Sequence, residues 1–186
     1  ARADNHCIGF EPGSDAARAR ARGIECYAEY FKGTRLHDLD VDAVVCRHVI
    51  EHLAAPIDFL EEISMACREA SIAPIFLAEV PCIEKAIEQN RINDFLYEHV
   101  SNFTRRSLQV LFERAGFEVL DVRTRFNDEV VTIAARPKLD AQHHQLRSLA
   151  NQYRCNVDAQ IARARVTLES WRAAGERVAL WGGTGK

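Results

Sequence analysis

Apolar positions along the chain fall into two patterns: short unbroken runs closed by turn residues, and longer stretches in which they recur every three or four positions. The first suits buried strands and the second amphipathic helices. Cys7-Ile8-Gly9-Phe10, closed by Glu11-Pro12-Gly13, predicts a strand ending in a turn. Asp15 is placed to cap a short helix that runs through Arg22 and stops at Gly23. Glu25 to Phe31 predicts a second strand, and Asp42-Ala43-Val44-Val45-Cys46 a third, apolar on both faces as in a sheet covered by helices. Pro56 suits a first helical turn. Asp58, Glu61 and Glu62 crowd the positive end of that helix, and Phe59, Leu60, Ile63 and Cys67 form its buried stripe. Pro74 to Val80 predicts the fourth strand. Arg106 to Ala115 reads as a helix with Leu108, Leu111 and Phe112 inward and Gly116 as its stop. Phe117 to Arg125 and Val130 to Ala135 then read as two strands joined by the hairpin-sized Phe126-Asn127-Asp128-Glu129.

This order gives repeated strand-helix-strand units followed by a helix and an antiparallel hairpin. It predicts an α/β fold with a doubly wound, mostly parallel sheet. From Leu139 the pattern changes. Leu146, Leu149, Tyr153, Val157, Ile161, Ala164, Leu168 and Trp171 recur at steps of three and four, predicting one amphipathic helix that ends at Gly175. Unbroken, it would be on the order of 50 Å long. Interdomain packing or a homodimer through the 139–175 helix is the expected role. Val178 to Trp181, running into Gly182-Gly183-Thr184-Gly185-Lys186, reads as the opening of a second α/β unit. The expected division is therefore 1–137, 138–175 and 176–186.

The 186 residues are 47% hydrophobic and 27% charged, too apolar for a disordered chain. No apolar run approaches the ~20 residues of a membrane span. A net charge of −3 argues against nucleic acid as partner and leaves a small molecule as the expected one. The six cysteines contain no C-x-x-C pair, so no metal site is expected, and several sit in apolar runs where a free thiol acts as a small hydrophobe. Reduced thiols and the lack of an apolar segment following the polar Ala1 to Asn5 point to a cytoplasmic setting.

The final glycine cluster fails the phosphate-loop pattern, because Leu180 stands where the first glycine is required. Glu11 follows a strand at the sheet edge where open α/β folds bind ligands, and its carboxylate can accept both hydroxyls of a ribose; a solvated turn residue is the alternative. Glu29, Tyr30 and Phe31 suit an adenine ring, with core packing of the aromatics as the rival reading. Two Glu-His pairs, Glu51-His52 and Glu98-His99, fall on the same rim. Imidazole is the natural general base near neutral pH, and a neighbouring carboxylate can orient it.

Gly9-Phe10-Glu11-Pro12-Gly13, the stretch Val44 to Leu60, Ala78-Glu79-Val80-Pro81, and Tyr97 to Leu108 with Gly116-Phe117-Glu118-Val119 resemble the class I S-adenosylmethionine-dependent methyltransferases. The nearest likeness is to the sugar C-methyltransferase-like branch acting on nucleotide-linked deoxysugars. It covers roughly residues 7 to 135 and resumes at Val178. Against that family the sequence begins just before the fold's second strand, so the glycine-rich first loop is expected to lie outside it. The resemblance implies that Glu11, with Pro12 beside it, binds the ribose of S-adenosylmethionine, that Glu29 and Tyr30 border its adenine, and that Arg47 and His48 line the strand end beneath its methionine part. It also implies His99 as base, Glu98 as its orienting neighbour, and His52 as a second polar position facing the substrate; with a carbon acceptor, Tyr97 or His52 would steady the enolate oxygen. Leu96 departs from the branch's pattern and keeps an oxygen acceptor open. A non-catalytic binding module is the reading from another class, and a nicotinamide oxidoreductase is weakened by the hairpin and the missing G-x-G-x-x-G.

Overall fold

Strands and helices alternate along the chain of this computed structural model, which describes residues 6–95, 98–139, 142–177 and 179; the side chains of 142–148 and 151 are outside the description. The order is β1 (Ile8–Phe10), α1 (Asp15–Ala21), β2 (Glu25–Tyr27), a 3₁₀ turn (Gly33–His37), β3 (Ala43–Arg47), a 3₁₀ turn (Ile50–His52), α2 (Pro56–Glu69), β4 (Ile75–Pro81), α3 (Ile83–Glu88), a 3₁₀ turn (Ile92–Phe95), α4 (Arg105–Arg114), β5 (Phe117–Arg125), β6 (Val130–Pro137) and α5 (Gln142–Ala173). Two units divide the chain, Ala1–Leu139 and Asp140–Lys186.

In the first unit, β1 and β2 pair in parallel, and a second sheet runs in the order β3-β4-β6-β5. There β3 and β4 are parallel, while β6 lies antiparallel between β4 and β5. The α/β class, the parallel pairs and the closing antiparallel hairpin are as the pattern predicts. Three local expectations need correction. β2 ends at Tyr27 rather than Phe31, because the ladder stops at Phe10↔Tyr27 where β1 gives way to Glu11 and the donor-less Pro12. β3 is not buried on both faces: Val45 is 63% exposed while Cys46 is buried. Asp15 is the first residue of α1 rather than its cap, and its carboxylate pairs with Arg18 at 2.9 Å.

The core lies on one face of the four-stranded sheet. Alternation places Phe76, Ala78 and Val80 of β4 and Val131, Ile133 and Ala135 of β6 inward. Phe76, Phe112 and Phe117 meet edge to face, with ring centroids 5.4 to 5.6 Å apart. α2 starts on Pro56 and buries Leu60, Ile63 and Cys67; its Ser64 hydroxyl donates to the Ala115 carbonyl at 2.6 Å, tying α2 to the end of α4. α4 begins with a reciprocal cap between Thr104 and Ser107, and Gly116 at φ 90° ends it.

In the second unit α5 has 32 residues, about 48 Å at the rise of an α-helix. Leu149, Tyr153, Ile161, Leu168 and Trp171 of its apolar stripe are exposed. The strand expected over 178–181 lies outside the described residues apart from 179, as does the glycine turn 182–186. Among the described residues no helix is long and apolar enough to cross a membrane.

Candidate active site

The C-terminal ends of β3 and β4 collect the candidate chemistry. Register places Arg47 directly beside Glu79, and the guanidinium donates to Glu79 Oε1 at 2.7 and 3.0 Å. His48 follows with φ 51°, a left-handed backbone that non-glycine residues rarely adopt. Its N–H donates to the Glu79 carbonyl at 2.9 Å, extending the ladder by one residue. The kink carries the His48 ring back over the strand ends, with Nε2 3.1 Å from Glu79 Oε1 and Nδ1 3.3 Å from Glu51 Oε1.

The turn Ile50–His52 then drives Glu51 inward, where it is 1% exposed. Both of its carboxylate oxygens are buried and accept no hydrogen bond; His48 and His52 approach Oε1 at 3.3 and 4.0 Å. The Glu51 carbonyl accepts from the amides of Val100 and Ser101 at 2.9 and 3.0 Å, strapping that segment across the turn. The strap is completed by His52 Nδ1 and the Glu98 carbonyl at 3.1 Å. A carbonyl oxygen only accepts, so Nδ1 carries a proton, and in the neutral ring the lone pair is on Nε2. These bonds bring the His52 and His99 rings edge to face at 4.9 Å and 65°.

His99 and Glu51 line a cavity of about 200 Å³ whose far wall is Pro81, Cys82, Arg91, Asp94, Asn102 and Glu129. Arg91 donates to both Glu129 oxygens at 2.9 and 2.7 Å and pairs with Asp94 at 2.9 Å. That guanidinium holds the Glu129 carboxyl below the usual glutamate range, and Glu129 in turn raises Arg91. The Cys82 amide donates to the Glu129 carbonyl at 2.8 Å, fixing the hairpin tip beside β4.

The remaining predicted residues stand on the β1–β2 side. Glu11 directly follows β1, and its Oε1 accepts the Gly13 amide at 2.7 Å. A Cβ at Gly13 would sit 2.8 Å from that oxygen, so a side chain there would push the carboxylate from this position. Glu29 pairs with Arg35 at 3.1 Å, and the Arg35 guanidinium lies 4.5 Å from the centre of the Tyr27 ring. Phe31 packs edge to face on Phe10 at 5.0 Å, whereas Tyr30 is 76% exposed. Pro12 is exposed.

Thus Arg47, His48, His52 and His99 converge around Glu51 and Glu79, while Glu11, Glu29 and Tyr30 belong to the smaller sheet. Glu98 meets His52 through its backbone carbonyl. Tyr97 and Leu96 lie outside the described residues. Glu51 as the buried charge, Glu79 and the Arg91–Glu129 wall were not singled out from the sequence. The alternation in β4 was the available signal for Glu79, whereas the Arg91–Glu129 pair joins positions 38 apart without a local signature.

A family model described as a methyltransferase domain matches residues 3–122. No curated protein matches the chain in sequence. Among solved structures, a chain of the complex between the Haloferax volcanii Trm112 methyltransferase activator and a methyltransferase is similar at 13% identity and a TM-score of 0.51, covering 70% of this chain and 71% of that one. OxaC in complex with sinefungin and meleagrin is similar at 18% identity and a TM-score of 0.53, covering 72% of this chain and 37% of OxaC. Magnesium protoporphyrin IX methyltransferase from Synechocystis PCC 6803, with bound SAH, is similar at 9% identity and a TM-score of 0.50, covering 70% of this chain and 64% of that one. These likenesses concern the fold.

Proposed function

The chain belongs to the methyltransferase-domain family, and from that premise we propose that it transfers the methyl group of S-adenosylmethionine to a carbon atom of a small molecule, with a nucleotide-linked sugar as the substrate class that the sequence resemblance favours. The SAH and sinefungin held by two of the similar structures support that choice of donor. Glu11, pinned by the Gly13 amide in a space that a side chain would fill, fits the ribose hydroxyls of the donor. Tyr30 offers an exposed aromatic face for adenine with Glu29 beside it, and Arg47 and His48 stand at the strand ends for the methionine part. When bound, the cofactor supplies an electrophilic methyl group on a cationic sulfur.

The chain's own task is proton management and alignment. His99, on the wall of the 200 Å³ cavity, is the base that takes the proton from the acceptor carbon onto a ring nitrogen. His52, oriented by the Glu98 carbonyl, faces it at 4.9 Å, and the buried Glu51 carboxylate lies beneath the pair as a counter-charge. Tyr97 or His52 steadies the oxygen of the acceptor's enolate. The single observation that carries this reading is the His99 imidazole on the cavity wall, met edge to face by His52. The exposed stripe of α5 supports pairing with a second copy of the chain, and the six free thiols suit a reducing, cytoplasmic compartment.

The test is His99→Ala in the protein supplied with donor and acceptor. Turnover should fall by about 10²–10⁴-fold, the usual worth of a general base, with donor affinity unchanged. Solvent deuterium exchange at the acceptor carbon should disappear with it. A variant that loses donor binding but keeps its turnover once saturated would refute the role. Methyl transfer by the parent enzyme without any exchange would favour an oxygen acceptor instead.

A further inference from the structure

We propose that Glu51, His52 and His99 form a binding site for a divalent transition cation of the zinc class, and that its occupancy withdraws His99 from service as a base. One ligand atom from each residue lies within 4.8 Å of the other two. Glu51 is the independent sign of a ligand. Its side chain is 2% exposed, both oxygens lack a hydrogen bond, and it borders the same cavity as His99. A carboxylate so placed is costly unless a charge or a metal meets it. His48 Nδ1 stands 3.3 Å from Oε1, without a hydrogen bond to it.

His52 is already arranged as a ligand. Its Nδ1–H donates to the Glu98 carbonyl at 3.1 Å, which leaves the Nε2 lone pair 4.0 Å from Glu51 Oε1. Metal-binding histidines are held in this way, one ring nitrogen on a carbonyl and the other on the ion. A tetrahedral ion with bonds of about 2.0–2.2 Å needs donors about 3.4 Å apart. The cluster must therefore contract, and His52, with 43% of its side chain exposed, has room to turn. Two imidazoles and one carboxylate select zinc, cobalt, nickel or iron over magnesium or calcium. The cavity leaves the fourth position open to water or to an acceptor oxygen.

The consequence for catalysis rests on the methyl-transfer reading; the binding does not. A neutral imidazole has a single basic nitrogen, so a ring that ligates an ion has no lone pair left for a proton. The test is titration with Co²⁺ of the chain carrying Cys7→Ser and Cys155→Ser, which removes the two exposed thiols. One equivalent should produce the visible d–d bands of a low-symmetry site, displaced stoichiometrically by Zn²⁺. His52→Gln and His99→Gln, both at accessible rings, should abolish the bands with the circular dichroism spectrum unchanged. Absence of the bands in the parent, or their persistence in both variants, overturns the site. Where the bands appear, Zn²⁺ should suppress methyl transfer and a chelator restore it; full activity with the ion bound overturns the exclusion. A protein that binds Co²⁺ at this site yet transfers no methyl group in the chelator would contradict the methyl-transfer reading and leave the metal site standing.

Discussion

Gly33 is where the turn following β2 is seated on α2. It opens the turn Gly33–His37, is buried, and its amide donates to Glu62 Oε1 at 2.9 Å. A Cβ at this position would lie 2.7 Å from the Glu62 carbonyl oxygen, 2.8 Å from its carbon and 2.9 Å from Ile63 Cα. All three are main-chain atoms of α2 and cannot swing aside as a side chain would. Ordinary contact begins at 3.4 Å, so in Gly33→Ala the turn must recede by about 0.7 Å. Overpacking of this kind costs about 1–3 kcal/mol, a loss of about 5- to 150-fold in the folded ratio. For a chain of this size the melting temperature should drop by about 2–12 °C. Urea unfolding should show a lower midpoint at unchanged slope, since the area exposed on unfolding is the same. Because Arg35 shares this turn and holds Glu29, donor affinity should weaken too. A change under about 0.5 kcal/mol would place the substitution among neutral surface changes and refute the seating.

Two further predictions concern titration. Burial, with the nearby Glu51 charge adding to it, pushes the Cys46 thiol up to about 12, and burial pushes Cys67 up to about 11. Both stay protonated in the fold, so at about pH 8 a thiol reagent should label Cys7 and Cys155 and spare these two until the protein unfolds. Since the folded values lie above the ordinary thiol value of 9.0, the stability involved is complete below that pH and is lost as pH rises toward 11 to 12. Glu129 runs the other way. Arg91 lowers its carboxyl, so its contribution is present above the ordinary value of 4.5 and is lost as pH falls through the folded value. In Arg91→Ala the Glu129 carboxyl resonance followed by NMR should titrate at higher pH than in the parent, and an unchanged midpoint would refute the coupling.

The strands and helices were legible because each carries its own period. The Phe76, Ala78, Val80 alternation of β4 and the Leu60, Ile63, Cys67 stripe of α2 need no distant information. Boundaries were less legible. α4 is capped by Thr104 with Ser107 where the familiar box has glutamate, and β2 is short because its partner is short. The two Glu-His dipeptides were visible as candidates, yet their division of labour was not. Glu51 and His52 are adjacent in sequence, but one is buried and the other half exposed, a difference set by the left-handed kink at His48. The strap that pairs His52 with Glu98 spans 46 positions and is made by a carbonyl, a group every residue has. A contact of that kind leaves no mark in residue identity.

On the proposed reading, an adenosyl donor meets Glu11 on one side while the imidazoles handle the acceptor on the other. Calorimetric titration of S-adenosylhomocysteine into the protein, Glu11→Ala and His99→Ala tests this directly. Loss of the charged hydrogen bonds should weaken binding to Glu11→Ala by about 10- to 150-fold, at about 1.5–3 kcal/mol, and leave His99→Ala equal to the parent. No heat with the parent protein, or equal affinity with and without the Glu11 carboxylate, would contradict it.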